Sequence, residues 1–179
     1  MNYQEAATKE RECLKQSNLL FLLANNYYSK GYEFVSEYIT PIYGSDVYDV
    51  KIVLQKDKKF LTLFIEVKVR NAEYDDYFLE VKKYNNLEKL VEQEGSQCKL
   101  FYVNYTPNFQ YIWDITTIKG YKEVKREMNK ATSTSKFNKI SKNVYLLTKD
   151  KANIRDFKFI DTPISNDNKV SPDQKGIPF

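Results

Sequence analysis

Residues 47–70 read VYDVKIVLQKDKKFLTLFIEVKVR, two apolar runs separated by the polar turn Lys56-Asp57-Lys58-Lys59. Alternation at a period of two marks a β-strand, so the segment predicts a hairpin of strands over Val47–Gln55 and Phe60–Arg70. Along the second strand Leu61, Leu63, Ile65, Val67 and Val69 point one way, and Thr62, Phe64, Glu66, Lys68 and Arg70 the other. Glu66 and Lys68 therefore share a face, about 7 Å apart at the backbone, near enough for both side chains to reach one small ion or water. In the first strand Asp49 alternates with Tyr48, Val50, Ile52 and Leu54, and the turn brings it back beside Glu66. Two acids and a lysine are expected to converge.

Upstream, Glu5–Ser29 carries apolar residues at Ala6, Cys13, Leu19, Leu20, Leu22 and Leu23, with Gly31 as a stop, and predicts one helix of several turns. Tyr32–Ile42 reads as a further, less regular strand. Downstream the period changes: Tyr77, Val81, Tyr84, Leu87, Leu90 and Val91 recur at steps of three and four, predicting a helix capped by Asp75 or Asp76 and stopped by Gly95. Lys99–Tyr105 and Phe109–Thr116 read as two more strands joined by Thr106-Pro107-Asn108. The expected fold is α/β, a small mixed sheet flanked by helices in the order α-β-β-β-α-β. At 179 residues the chain suits one domain over residues 1–160, basic from about residue 116, with 161–179 a tail that is flexible or docked on a partner.

The composition excludes whole classes of chemistry. There is no histidine, which removes Ser-His-Asp and Cys-His relays and mixed Cys/His zinc sites. Acid, base and metal chemistry fall to Asp, Glu, Lys and Tyr. Two cysteines, Cys13 and Cys98, are too few for a multi-thiolate site and read as small buried hydrophobes. The polar opening and the short longest apolar run, Leu19 to Ala24, predict a soluble chain in a reducing cytoplasm, that of a bacterium or a phage-infected host cell, with no membrane partner. The net charge is +4, unevenly spread: between Thr116 and Lys158 twelve Lys and Arg face four acids.

An Asp on one strand and Glu-x-Lys on the next, then a helix and another strand, resembles the PD-(D/E)xK, or restriction-endonuclease-like, nuclease superfamily. The motif stands here as Tyr48-Asp49 and Ile65-Glu66-Val67-Lys68, with Tyr48 where the superfamily's proline is expected. The layout also looks like small phage nucleases. The resemblance spans about Glu5 to Thr116 and implies an endonuclease-like hydrolase that uses Mg²⁺ or Mn²⁺. It implies Asp49, Glu66 and the Val67 carbonyl as metal ligands, and Lys68 as the group that orients or deprotonates the attacking water. A first-helix acid is expected among Glu5, Glu10 and Glu12, with Glu12, nearest the apolar part of the helix, preferred. Glu80 and Tyr84 stand where one branch carries Gln-x-x-x-Tyr, which makes Glu80 a candidate, while Tyr84 fits core packing better.

Lys136, Lys139 and Lys142, among Ser, Thr and Asn side chains, are candidate phosphate contacts. DNA is the expected partner, with RNA an open alternative and a homodimer an option. The rival reading is a catalytically silent module of the same fold that binds nucleic acid or a protein assembly, because Glu-x-Lys by itself also fits an ion pair on a solvated strand.

Overall fold

The computed structural model describes residues 3–41, 47–94, 97–129 and 139–158. Two helices, α1 (Tyr3–Ser17) and α2 (Leu19–Tyr28), precede strands β1 (Glu33–Ile39), β2 (Val50–Lys56), β3 (Lys59–Val69) and β4 (Asp76–Glu80). Helix α3 (Val81–Glu94) then leads to β5 (Gln97–Tyr105), β6 (Phe109–Asp114), β7 (Lys122–Asn129), β8 (Lys139–Thr148) and β9 (Asn153–Asp156). A six-stranded sheet runs β1-β2-β3-β5-β6-β9, and a three-stranded one β4-β8-β7. Among the described residues only the β3–β5 pairing is parallel. The molecule is a mixed α/β structure, largely sheet at its core and flanked by helices.

β3 is the spine. Leu61 to Val67 are buried on both faces, as a strand between two neighbours and two packed layers requires. On one face Leu61, Leu63, Ile65 and Val67 join Cys13, Leu14, Leu19 and Leu23 of α1 and α2. On the other, Phe64 joins Tyr77, Tyr84, Leu87, Leu100 and Trp113. Tyr111 and Trp113 stack at 17° and 5.8 Å in that second layer. The β2–β3 hairpin closes through Asp57 and Lys58, both left-handed at φ 49° and 63°, with Lys56 paired to Lys59. Two positive φ values are what a tight two-residue hairpin demands.

Four expectations are corrected. The first helix is two, because Asn18 adopts φ 49° and ψ 29° and breaks it; asparagine tolerates that conformation better than most residues. Residues 76–80 are strand β4, not the first turn of a helix. Tyr77 and Leu79 alternate inward against β8, so neither Asp75 nor Asp76 caps a helix that begins only at Val81. The basic region, to which no structure was assigned, supplies β7, β8 and β9. The strands also begin or end a few residues from their sequence bounds, β2 at Val50 rather than Val47. Gly95, Lys136 and the tail lie outside the described residues. Among the described residues no helix is long and apolar enough to cross a membrane.

Lys58 holds a left-handed φ at a cost of about 1–2 kcal/mol for an L-residue. Lys58→Gly should raise stability by roughly 0.5–1 kcal/mol after glycine's greater unfolded-state entropy is offset. Lys58→Val should lower it, and urea midpoints that rank the two the other way would refute this account of the turn.

Candidate active site

Asp49 sits immediately before β2, where its backbone still extends the ladder: its N–H donates to Ile65 O at 2.9 Å, and its carbonyl accepts Thr40 N–H at 2.9 Å. Its carboxylate crosses to β3, where Oδ2 accepts the Val67 N–H at 2.7 Å. Val67 is the residue between Glu66 and Lys68, so this bond sets the first acid beside the Glu-x-Lys triplet. The Lys68 ammonium lies 2.8 Å from Glu66 Oε1, 2.7 Å from the Val67 carbonyl and 3.2 Å from Glu10 Oε1. Lys83 of α3 also donates to Glu66. Arg11 of α1 reaches Asp49 Oδ1 at 3.5 Å and holds Thr40 through its carbonyl at 2.7 Å and its hydroxyl at 2.8 Å. Three carboxylates thus interlock with three cations at the end of the β2–β3 hairpin remote from the turn.

The environment sets the proton affinities. Glu66 is only 2% exposed, and burial alone would raise its pKa, but Lys68 and Lys83 outweigh that and hold it below the ordinary value. Burial would strip the proton from Lys68. Glu66, Glu10 and Asp49 reverse this and keep its pKa well above the usual lysine value. Asp49 moves the other way, to about 6, first by burial, then by the charges of Glu66 and Glu10, with Lys68 and the Val67 N–H opposing.

The structure brings Asp49, Glu66, Val67 and Lys68 together and leaves other candidates apart. The helix acid beside Lys68 is Glu10, whereas Glu12 makes no described contact with the cluster; one position along a helix turns a side chain by about 100°. Glu80 lies on β4 and pairs with Lys142 at 2.8 Å, so it is not one helical turn from Tyr84. Tyr84 is buried in the second core layer. Lys139 and Lys142 stand three apart on β8, which by strand alternation sets them on opposite faces. Lys136 is outside the described residues, so the three lysines do not make one observed row.

Three neighbours escaped the sequence reading, Arg11, Lys83 and Asn104. Lys83 was visible only as one lysine on the polar side of α3. Asn104 pairs in register with Lys68 across the parallel strands and is fully buried. Its Oδ1 accepts Arg70 Nε at 3.2 Å, while its Nδ2 has no partner among the described residues. Only the parallel β3–β5 register, which sequence does not display, could have found it.

No protein-family model and no curated protein matches the chain. Among solved structures it is similar to Hjc of Archaeoglobus fulgidus, a Holliday junction resolvase from an archaeal hyperthermophile. Identity is 12%, 72% of this chain and 83% of that chain are covered, and the TM-score is 0.37. A likeness this weak decides neither family nor reaction.

Because folding raises the Asp49 pKa from 3.8 to about 6, this group favours the folded state at low pH, and the contribution is lost as pH rises through about 6. The stability of Asp49→Asn relative to wild type should therefore climb between about pH 4 and about pH 6 and level off above. Denaturation across that range in metal-free buffer checks it, and a pH-independent difference would contradict it.

Proposed function

We propose that the chain is a divalent-metal-dependent nuclease that hydrolyses DNA phosphodiester bonds at Asp49, Glu66 and Lys68. The observation that supports this most is the Asp49 Oδ2 bond to the Val67 N–H, which sets both acids and the lysine around one backbone unit. The donor chemistry fits a hard cation. Asp49, Glu66 and the Val67 carbonyl offer oxygens only, and the last two already face one cation, the Lys68 ammonium. The carbonyl is needed, because no group of three or more Asp, Glu, Cys or His suited to a metal occurs among the described residues. Mg²⁺ or Mn²⁺ bound there would neutralise the phosphate and lower the pKa of a bound water.

The protein's own groups do the rest. Lys68 keeps its proton, so at neutral pH it orients the water and stabilises developing negative charge rather than acting as the base. Arg11 and Thr40 brace Asp49 from the α1 side. Lys83 steadies Glu66 and offers a second positive charge where a phosphate would approach.

A second reading, a silent nuclease-fold module that binds nucleic acid or a protein assembly, is favoured by one observation. Asp49, Glu66 and Glu10 are matched by Arg11, Lys68 and Lys83, a balance that needs no added ion.

Lys68→Ala separates the two. In the hydrolytic reading it lowers cleavage of linear, nicked and branched DNA by about 10²–10³-fold or more while sparing DNA affinity, since the lost stabilisation acts in the transition state. Mg²⁺ should also raise the melting temperature of wild type but not of Asp49→Asn, a gain of about 2.7 kcal/mol at a hundred times Kd. No cleavage of any DNA or RNA form with either metal, and equal melting shifts in both proteins, would leave the silent module standing.

A further inference from the structure

Helix α3 turns Tyr84 and Leu87 into the core and leaves Lys82, Asn85, Asn86 and Lys89 at i, i+3, i+4 and i+7, a single polar stripe. That stripe is one wall of a groove of about 660 Å³ whose other wall is Ile140, Lys142 and Asn143 of β8. Among the described lining residues Glu80 is the one acid, and it is occupied by Lys142. A second hollow, of about 210 Å³, shares Glu80, Lys82 and Asn86 with the first and adds Lys83, the residue that donates to Glu66. The two hollows share a wall, and Lys83 joins the second of them to Glu66.

We propose that this groove seats one phosphodiester strand by its backbone and leads it to Glu66, an inference that rests on the nucleic-acid reading above. Ammonium groups and side-chain amides are the types that contact phosphate and sugar oxygens. Lys82 and Lys89 are exposed and lie about 10.5 Å apart along the helix axis. Among the described residues the walls of both hollows offer ammonium and amide groups and no aromatic ring, which favours backbone contacts tolerant of sequence over base stacking. A hollow of about 660 Å³ has the size of a small-molecule cleft, suited to a few backbone units rather than the body of a duplex. Glu80 acts as the groove's brake: it repels phosphate and keeps Lys142 engaged.

The roles of Glu80 and the lysines give opposite signs in one experiment. Binding of labelled oligothymidylate to the full chain is followed by anisotropy against salt, in metal-free buffer, with folding checked by circular dichroism. Lys82→Gln with Lys89→Gln should weaken binding and reduce the slope of log affinity against log salt by about 1.4, near 0.7 per lost contact on a single strand. Glu80→Gln should tighten binding and steepen the slope by about 0.7 as Lys142 is released. Lys15→Gln with Lys59→Gln removes the same charge on exposed residues away from the groove and should leave the slope near that of wild type. The groove is refuted if the Lys82/Lys89 variant keeps the wild-type slope, if the control falls as far as it does, if Glu80→Gln weakens binding, or if wild type binds no strand. Cleavage assays on the same proteins keep this distinct from the hydrolytic reading. Lost binding in the double variant of a chain that never cuts leaves the groove and removes the nuclease, whereas an unchanged slope in a chain that cuts does the reverse.

Discussion

A carboxylate bonded to the backbone of the neighbouring strand, Asp49 Oδ2 to the Val67 N–H at 2.7 Å, is the constraint around which the acidic end of the molecule is arranged. It extends the β2–β3 pairing past its last ladder residue and fixes where Asp49 stands relative to Glu66 and Lys68. Burying charge there requires compensation, because a lone buried ion costs several kcal/mol. The chain supplies it from three directions, Lys68 on the same strand, Lys83 from α3 and Arg11 from α1. Both helical layers are thereby tied to the end of β3, and removing one partner leaves another uncompensated.

The hairpin was legible because a half-buried strand writes its faces into a period of two, and residues 47–70 carry that period with a clear polar turn. The same local reasoning failed at Tyr77-Phe78-Leu79-Glu80. The spacing of Tyr77, Val81 and Tyr84 satisfies a helix, but the pairing edge of β8, more than 60 residues away in sequence, draws Tyr77 and Leu79 into a strand instead. Asn18 breaks a helix whose apolar pattern continues across it, a backbone event that leaves only a weak trace in residue type. In the site, Asp49, Glu66 and Lys68 were readable because they share one hairpin. Glu10 was one of three candidates with Glu12 preferred, and Arg11, Lys83 and Asn104 were not read, since each enters through helix rotation or parallel-strand register.

The distribution of charge links site and surface. At the end of β3 the charges balance, and three carboxylates hold the proton on Lys68. Along α3 and β8 the balance is cationic, with Lys82, Lys89 and Lys142 against Glu80. A polyanion seated in the proposed groove would meet the compensated cluster at Lys83. Of the twelve cations between Thr116 and Lys158 six stand on β7, β8 and β9, and β8 builds the groove's second wall.

The hydrolytic reading stands on a hard cation held by Asp49, Glu66 and the Val67 carbonyl. Anomalous diffraction from crystals soaked in Mn²⁺ tests it without any assumption about substrate. An anomalous peak is expected between the Asp49 and Glu66 carboxylates, with the Lys68 ammonium displaced from the Val67 carbonyl, and no such peak in Glu66→Gln. Crystals soaked at saturating Mn²⁺ that show no peak there, with Lys68 still bound to Glu66 and Val67, would contradict it.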